Sequence, residues 1–152
     1  MSRIQLALNV DDVEAATAFY ATLFGTEPAK TRPGYANFAV ADPPLKLVLL
    51  ENPGQGGTLN HLGVEVGSVE EVDAEQTRLT AQGLASVDER GTTCCYAKQE
   101  KFWVANTPGG ERWEVYTVLA DSPTFAGDPG DGPACCGDAP GTADPTAATR
   151  CC

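Results

Sequence analysis

Apolar and polar residues alternate at the start of the chain, with Ile4, Leu6, Leu8 and Val10 separated by Gln5, Ala7 and Asn9. A period of two marks a strand with one buried face. A helical segment follows as far as Leu23, and the same order returns later in the chain. Laid over NHLGVEVGSVEEVDAEQTRL from Asn60, the segment IQLALNVDDVEAATAFYATL from Ile4 matches at a constant offset. Leu6 meets Leu62, Leu8 meets Val64, Val10 meets Val66, Val13 meets Val69 and Leu23 meets Leu79. Asp11 or Asp12, and Ser68, are the expected N-caps, and the helices should end near Gly25 and Gly83.

Strand-like runs follow each helix: about 27–31 (weak), 35–40 and 45–51, then about 84–88, 96–105 and 112–118. Asp42-Pro43-Pro44 and Thr107-Pro108-Gly109-Gly110 break the chain before the two last strands. The pattern predicts an α+β fold of two βαβββ modules, about 1–51 and 59–120, joined by a glycine-rich linker. One module has a single helix and an open sheet, too little to stand alone. Two together can close a cup.

Composition shifts near residue 121. Residues 121–152 hold five Pro, five Gly and one aromatic, Phe125. Such a segment buries too little apolar surface to offset its ordering entropy, so the expectation is a disordered, cysteine-bearing tail. The chain carries 21 acidic against 10 basic residues, a net charge of −11. The tail's five Asp and one Arg supply −4 of this, leaving residues 1–120 at −7. An acidic surface releases no counterions from a phosphate backbone, which argues against a nucleic-acid partner. No run reaches the ~18 apolar residues of a membrane span, and the start MSRIQLALNV has no signal-peptide core. The protein is therefore expected to be cytoplasmic, as a monomer or homodimer.

Alternation also places candidate chemistry. Opposite the apolar face of the first strand lies Gln5; opposite that of the repeated strand lies His61, the sole histidine, at the position equivalent to Gln5. In the last strand Glu114 and Tyr116 share a face, and matching the two final turns sets Glu114 against Val48 of the first module. Four equivalent slots would thus hold Gln5, Val48, His61 and Glu114. Three can bind a metal and one cannot, which leaves positions open as in a catalytic site. Glu65 shares the face of His61 but lies four residues along, roughly 13 Å away, so Glu114 is the preferred carboxylate.

The six cysteines form three adjacent pairs, Cys94-Cys95, Cys135-Cys136 and Cys151-Cys152. A bridge between neighbours closes a strained ring and constrains almost no chain. Vicinal dithiols are better read as reduced ligands for a soft metal or metalloid; inert packing thiols are the alternative. Neighbours on a regular strand point to opposite faces, so Cys94 and Cys95 are expected on a loop, after a turn-like stretch from Asp88 to Thr93. Lys98 or Lys101 could activate a thiol there. Tyr96 and Lys101 flank the loop as candidate contacts to substrate.

The duplicated pattern over residues 1–120 resembles the vicinal oxygen chelate superfamily, which includes glyoxalase I, bleomycin and fosfomycin resistance proteins and extradiol dioxygenases. Within it TTCCYAKQEKFWV from Thr92, NHLGVEV from Asn60 and WEVY from Trp113 look like the ArsI-type carbon–arsenic lyases and related cadmium-induced proteins. The resemblance implies a mononuclear Fe(II) held by Gln5, His61 and Glu114. Many of those lyases carry histidine where this chain has Gln5. It also implies O2-dependent cleavage of the carbon–arsenic bond in trivalent methyl- or arylarsenicals clamped by Cys94 and Cys95. A thiol protein that sequesters cadmium or arsenic is the second reading. A generic metal-dependent isomerase or dioxygenase is the third.

Overall fold

The computed structural model describes residues 2–126. Met1 and residues 127–152, with Cys135, Cys136, Cys151, Cys152 and most of the expected tail, lie outside the described residues. The elements run β1 (Arg3–Val10), α1 (Val13–Phe24), β2 (Lys30–Arg32), β3 (Tyr35–Val40), β4 (Leu45–Glu51), β5 (Leu59–Glu65), α2 (Val69–Ala81), β6 (Ser86–Cys94), β7 (Ala97–Val104) and β8 (Trp113–Asp121). Both modules are βαβββ, as the repeat predicts.

The helix ends follow local chemistry. Asp12 and Ser68 cap α1 and α2, accepting from the backbone N–H groups of Ala15 and Glu71. Gly25, at φ 60°, closes α1 in the left-handed conformation that only glycine adopts at little cost.

The strands form one eight-stranded sheet in the order β2-β3-β4-β1-β5-β8-β7-β6. The two modules join where β1 runs antiparallel to β5, with Gln5 opposite Gly63, Leu6 opposite Leu62 and Ala7 opposite His61. This register has the symmetry of a twofold through Leu6 and Leu62. The flanking strands obey it: Val48 pairs with Ala7 in parallel, and Glu114 pairs with Gly63 in parallel. Val48 and Glu114 are therefore equivalent positions.

Each module buries an apolar cluster under its helix. Leu6, Leu8, Phe38, Leu47 and Leu49 pack against Val13, Tyr20 and Phe24 of α1. Val64, Val66, Phe102 and Val115 pack with Val72 and Leu79 of α2. A third cluster, Ala7, Tyr35, Val48, Leu50 and Tyr96, lies on the opposite face of the sheet and draws in Cys95 and Phe125. It ties the first module to the β6–β7 hairpin of the second.

Candidate metal centre and its dithiol wall

Pairing sets Gln5, Gly63, Glu114 and Trp103 side by side in one row across β1, β5, β8 and β7. Strands two apart are separated by ~9.6 Å, so Gln5 and Glu114 would not ordinarily meet. Glycine between them leaves the gap open. A Cβ at Gly63 would lie 3.2 Å from Glu114 Cγ, 3.2 Å from Tyr116 Cε1 and 3.4 Å from Gln5 Cβ. Through this gap the Gln5 amide nitrogen donates to Glu114 Oε1 at 2.9 Å and lies 3.0 Å from His61 Nε2. His61 Nε2 is 3.5 Å from the same carboxylate oxygen. All three residues are under 5% exposed, so buried neighbours and a bound group, not water, must satisfy them.

The imidazole is oriented from behind. Asn60 Nδ2 donates to Asn9 Oδ1 at 2.9 Å, which turns Asn60 Oδ1 toward His61 Nδ1 at 2.7 Å. Nδ1 therefore carries the proton and Nε2 presents its lone pair to Gln5 and Glu114, the tautomer a metal ligand requires.

Glu114 is held from the other side by Lys101. The Lys101 ammonium, 1% exposed, lies 3.0 Å from Glu114 Oε2 and 3.0 Å from Glu89 Oε2, with the Trp103 ring 4.7 Å away. Trp103 Nε1 also donates to Glu89 at 3.1 Å. Burial pushes the Glu114 carboxyl up, but the Lys101 ammonium beside it outweighs this and holds the group at about 2. Burial likewise disfavours the Lys101 cation, yet Glu114, Cys94 and Glu89 raise it well above an ordinary lysine. Glu114 is thus an anion with Oε2 engaged and Oε1 turned to Gln5 and His61.

Gln5, His61, Glu114, Lys101 and Trp103 line a cavity of about 240 Å³ together with Tyr35, Val48, Gln99, Cys94 and Cys95. The thiol pair sits differently from the sequence expectation. Asp88–Thr93 is not a turn but part of β6, which runs to Cys94 with an irregularity between Glu89 and Thr92. The turn is Cys95-Tyr96 itself, at φ 55° and 61°. Two consecutive positive φ angles are the signature of a type I′ hairpin turn, a conformation that favours Asn-Gly and costs other residues energy. Reversing the chain at Cys95-Tyr96 brings the Sγ atoms of Cys94 and Cys95 to 3.3 Å. Two sulfurs bonded to one soft atom at ~2.3 Å cannot be more than ~4.6 Å apart, so the pair can chelate.

Packing around Tyr96 holds the turn. Its ring meets Tyr35 at 5.3 Å and Phe125 at 5.5 Å, and its carbonyl accepts from Lys30 Nζ at 3.1 Å and from the Ser122 N–H at 2.9 Å. Gln99 Nε2 donates to the Cys94 carbonyl at 3.2 Å, and Ala126 forms a bridge to Cys94.

Of the residues singled out from the sequence, Gln5, His61, Glu114, Lys101, Cys94 and Cys95 share the cavity. Tyr96 does not line it: its hydroxyl donates to Pro33 O at 3.3 Å, and it serves the turn. Lys98 is exposed and does not line the cavity, whereas Lys101 does, with Lys30 and Lys46. Sequence reasoning missed Asn60, Glu89 and Gly63. A polar residue beside the only histidine, and a glycine at the strand position facing the site, were the available signals.

Among the described residues no three of His, Cys, Asp or Glu converge as a metal site; the trio that does converge includes an amide. Donors bound in adjacent positions at ~2.1 Å lie ~3 Å apart, which matches the separations among Gln5, His61 and Glu114. One imidazole, one carboxylate and one amide oxygen suit a divalent ion such as Fe(II) or Mn(II) with positions left open. The amide presents nitrogen rather than oxygen, and half a turn about its terminal bond exchanges the two.

Comparisons with known proteins agree with this architecture. The chain is 72% identical over 129 residues to the Cadmium-induced protein CadI of Mycobacterium tuberculosis, covering 85% of this chain and 84% of that one. It is 58% identical over 137 residues to a Trivalent organoarsenical cleaving enzyme of Thermomonospora curvata, covering 90% and 89%. Among solved structures, the Mn(II)-bound glyoxalase from Novosphingobium aromaticivorans superposes with a TM-score of 0.54 at 21% identity, over 80% of this chain and 42% of that one. An extradiol ring-cleaving dioxygenase from B. fuscum gives 0.55 at 17% identity, over 78% and 33%. At such identities these two show the fold alone. Residues 3–115, which include Gln5, His61 and Glu114, match one family profile, and the chain belongs to the Glyoxalase/Bleomycin resistance protein/Dioxygenase superfamily.

Proposed function

We propose that the protein is a carbon–arsenic lyase, an Fe(II)- and O2-dependent enzyme that cleaves the C–As bond of trivalent methyl- or arylarsenicals and releases arsenite. The observation that carries this reading is the shared cavity: two sulfurs 3.3 Å apart in its wall, and an amide, an imidazole and a carboxylate converging within it. The relative at 58% identity named a trivalent organoarsenical cleaving enzyme supports it.

A trivalent organoarsenical in water has one carbon substituent and two hydroxyls. Cys94 and Cys95 each displace one hydroxyl as water, forming two As–S bonds, so the As–C bond is the single remaining arm. The bidentate grip fixes arsenic against one wall and removes the entropic cost of a bimolecular encounter. A buried ammonium in that wall, Lys101, favours the thiolate form in which cysteine attacks. His61, held by Asn60, and Glu114, held by Lys101, keep their facing atoms directed inward. Held by Gln5, His61 and Glu114, Fe(II) would supply the O2 activation that oxidative cleavage of a carbon–arsenic bond requires. The walls of Tyr35, Val48 and Trp103 limit water around the reacting bond.

The test is a two-stage incubation with methylarsenite. Fe(II)-loaded protein is expected to bind it without oxygen and to release arsenite only after air is admitted, and Cys94→Ser should lose both. The name of the relative at 72% identity, a cadmium-induced protein, favours a second reading in which the thiols sequester cadmium or arsenite without turnover. Stoichiometric binding with no arsenite after aeration would establish that reading and overturn the lyase.

A further inference from the structure

Tyr116 is fully buried on β8, and its hydroxyl faces two acceptors at once. Gln5 Oε1 lies 2.6 Å away and Glu65 Oε2 lies 2.8 Å away. A phenol has one proton, so it can donate to only one of them, and the other faces an oxygen lone pair. Glu65 has the stronger claim. It is a carboxylate fixed by Arg3 at 2.8 Å and Lys46 at 2.9 Å, and hydrogen bonds to ionised acceptors are the stronger class. Gln5 Oε1 is then left buried and poorly served.

At the other end of the same side chain the balance is opposite. Gln5 Nε2 faces the His61 Nε2 lone pair and Glu114 Oε1, two acceptors for its two protons. Turning the amide over in the metal-free protein would set its oxygen against both, with no proton between them. A cation at that point removes the objection. The oxygen then has positive charge to face, and the nitrogen, now beside Tyr116, donates to the hydroxyl oxygen while the hydroxyl donates to Glu65. The hydroxyl proton and the amide proton facing Tyr116 then each have one acceptor.

We infer that the Gln5 amide turns over when a divalent cation enters, and that Tyr116, with its proton committed to Glu65, is the positioning residue that holds the turned amide. This rests on the reading of Gln5, His61 and Glu114 as a metal site, and not on the arsenical chemistry. Neither Tyr116 nor Glu65 is placed at the reacting atoms.

The experiment uses the full chain and Zn(II), which is diamagnetic and redox-inert. In ¹⁵N-labelled protein the Gln5 side-chain NH2 resonances are assigned and followed during titration. They are expected to move to a distinct bound position, with one NH2 proton showing a through-space contact to the Tyr116 ring protons only after saturation. Resonances that keep their metal-free contacts at saturation would overturn the inference. A double-mutant cycle on Co(II) affinity supplies the second measurement. Tyr116→Phe should weaken binding by ~10–100-fold in the Gln5 protein and by less than ~2-fold in Gln5→Ala. Equal losses in both backgrounds would make Tyr116 merely structural and would also overturn it. Absence of carbon–arsenic cleavage leaves both readouts intact, so the two failures are separable. Absence of Zn(II)- or Co(II)-dependent change at Gln5, His61 and Glu114, whatever the cysteine pairs bind, would sink the metal-site reading and this inference together.

Discussion

Lys101 is buried between two carboxylates, and the neighbouring Glu114 carboxyl is depressed to about 2 from an ordinary 4.5. A depressed folded value stabilises the fold above the unfolded one, so the contribution is complete above pH ~5 and is lost as pH falls through about 2. The gap is worth about 3 kcal/mol in the metal-free protein. Removing the cation reverses the sign, because Glu114 and Glu89 then lose the buried positive charge between them and keep only neutral donors, at a cost of ~3–5 kcal/mol. Lys101→Met is accordingly expected to melt lower than the unsubstituted protein at pH 7. The deficit should narrow as pH falls toward 3, where the orphaned carboxyls take up protons. Circular dichroism melts of both metal-free proteins from pH 3 to 8 check this; a deficit independent of pH would refute the assigned role. At this scale the sequence was informative where chemistry is rare. The sole histidine, one glutamine in register with it and one acid on the last strand were legible as a set. Their supports were less so: Lys101 stood out only as a neighbour of the thiols, and Asn60 and Glu89 are set by contacts to Asn9 and Lys101 on other strands, which tertiary packing decides.

The β6–β7 hairpin shows function imposed on an element against its local preferences. Its turn needs φ > 0 at two positions and supplies Cys95 and Tyr96 where Asn-Gly would be relaxed. A non-glycine residue in that region costs ~1–2 kcal/mol. Cys95→Gly should therefore keep or raise the melting temperature while removing the chelating pair. Affinity for phenylarsine oxide is expected to fall by at least ~100-fold, the benefit of a second bond made without a second encounter. Unchanged affinity would mean that Cys95 is not a ligand in this wall. The hairpin is also where the sequence reading departs furthest from the structure. Asp88–Thr93 is polar and contains a glycine, so its composition resembles a turn. It forms β6, the last strand of the sheet order, and charged side chains are favoured on edge strands. Polarity there reports edge position rather than chain reversal.

For the whole molecule, the internal repeat was the most legible feature. Apolar alternation that recurs with its helix caps fixes two copies, and the antiparallel β1–β5 joint relates them as the repeat predicts. Less visible was how the second module's hairpin is anchored in the first, through Tyr96 against Tyr35 and a chain segment that returns to Phe125 and Ala126. That segment matters for truncation. Stopping after Ala126 retains Ser122, Phe125 and Ala126, which contact Cys94 and Tyr96, whereas stopping after Ala120 removes them. The shorter protein is expected to bind phenylarsine oxide more weakly at the inner pair. The protein ending at Ala126 should bind one equivalent at full-length affinity, against three for the full chain if each vicinal pair captures one. Mass spectrometry of the complexes and competition titrations measure both, and equal inner-pair affinity in the two truncations would remove the anchoring role.

Val48 pairs with Ala7 as Glu114 pairs with Gly63. Duplication thus offered four corners around the proposed ion, and this chain furnishes only three with heteroatoms. An aliphatic fourth corner cannot saturate the ion, so an incoming reactant finds a vacancy bordered by hydrocarbon. A carboxylate placed there would add a fourth protein donor, tightening the grip on metal and filling the place left to the reactant.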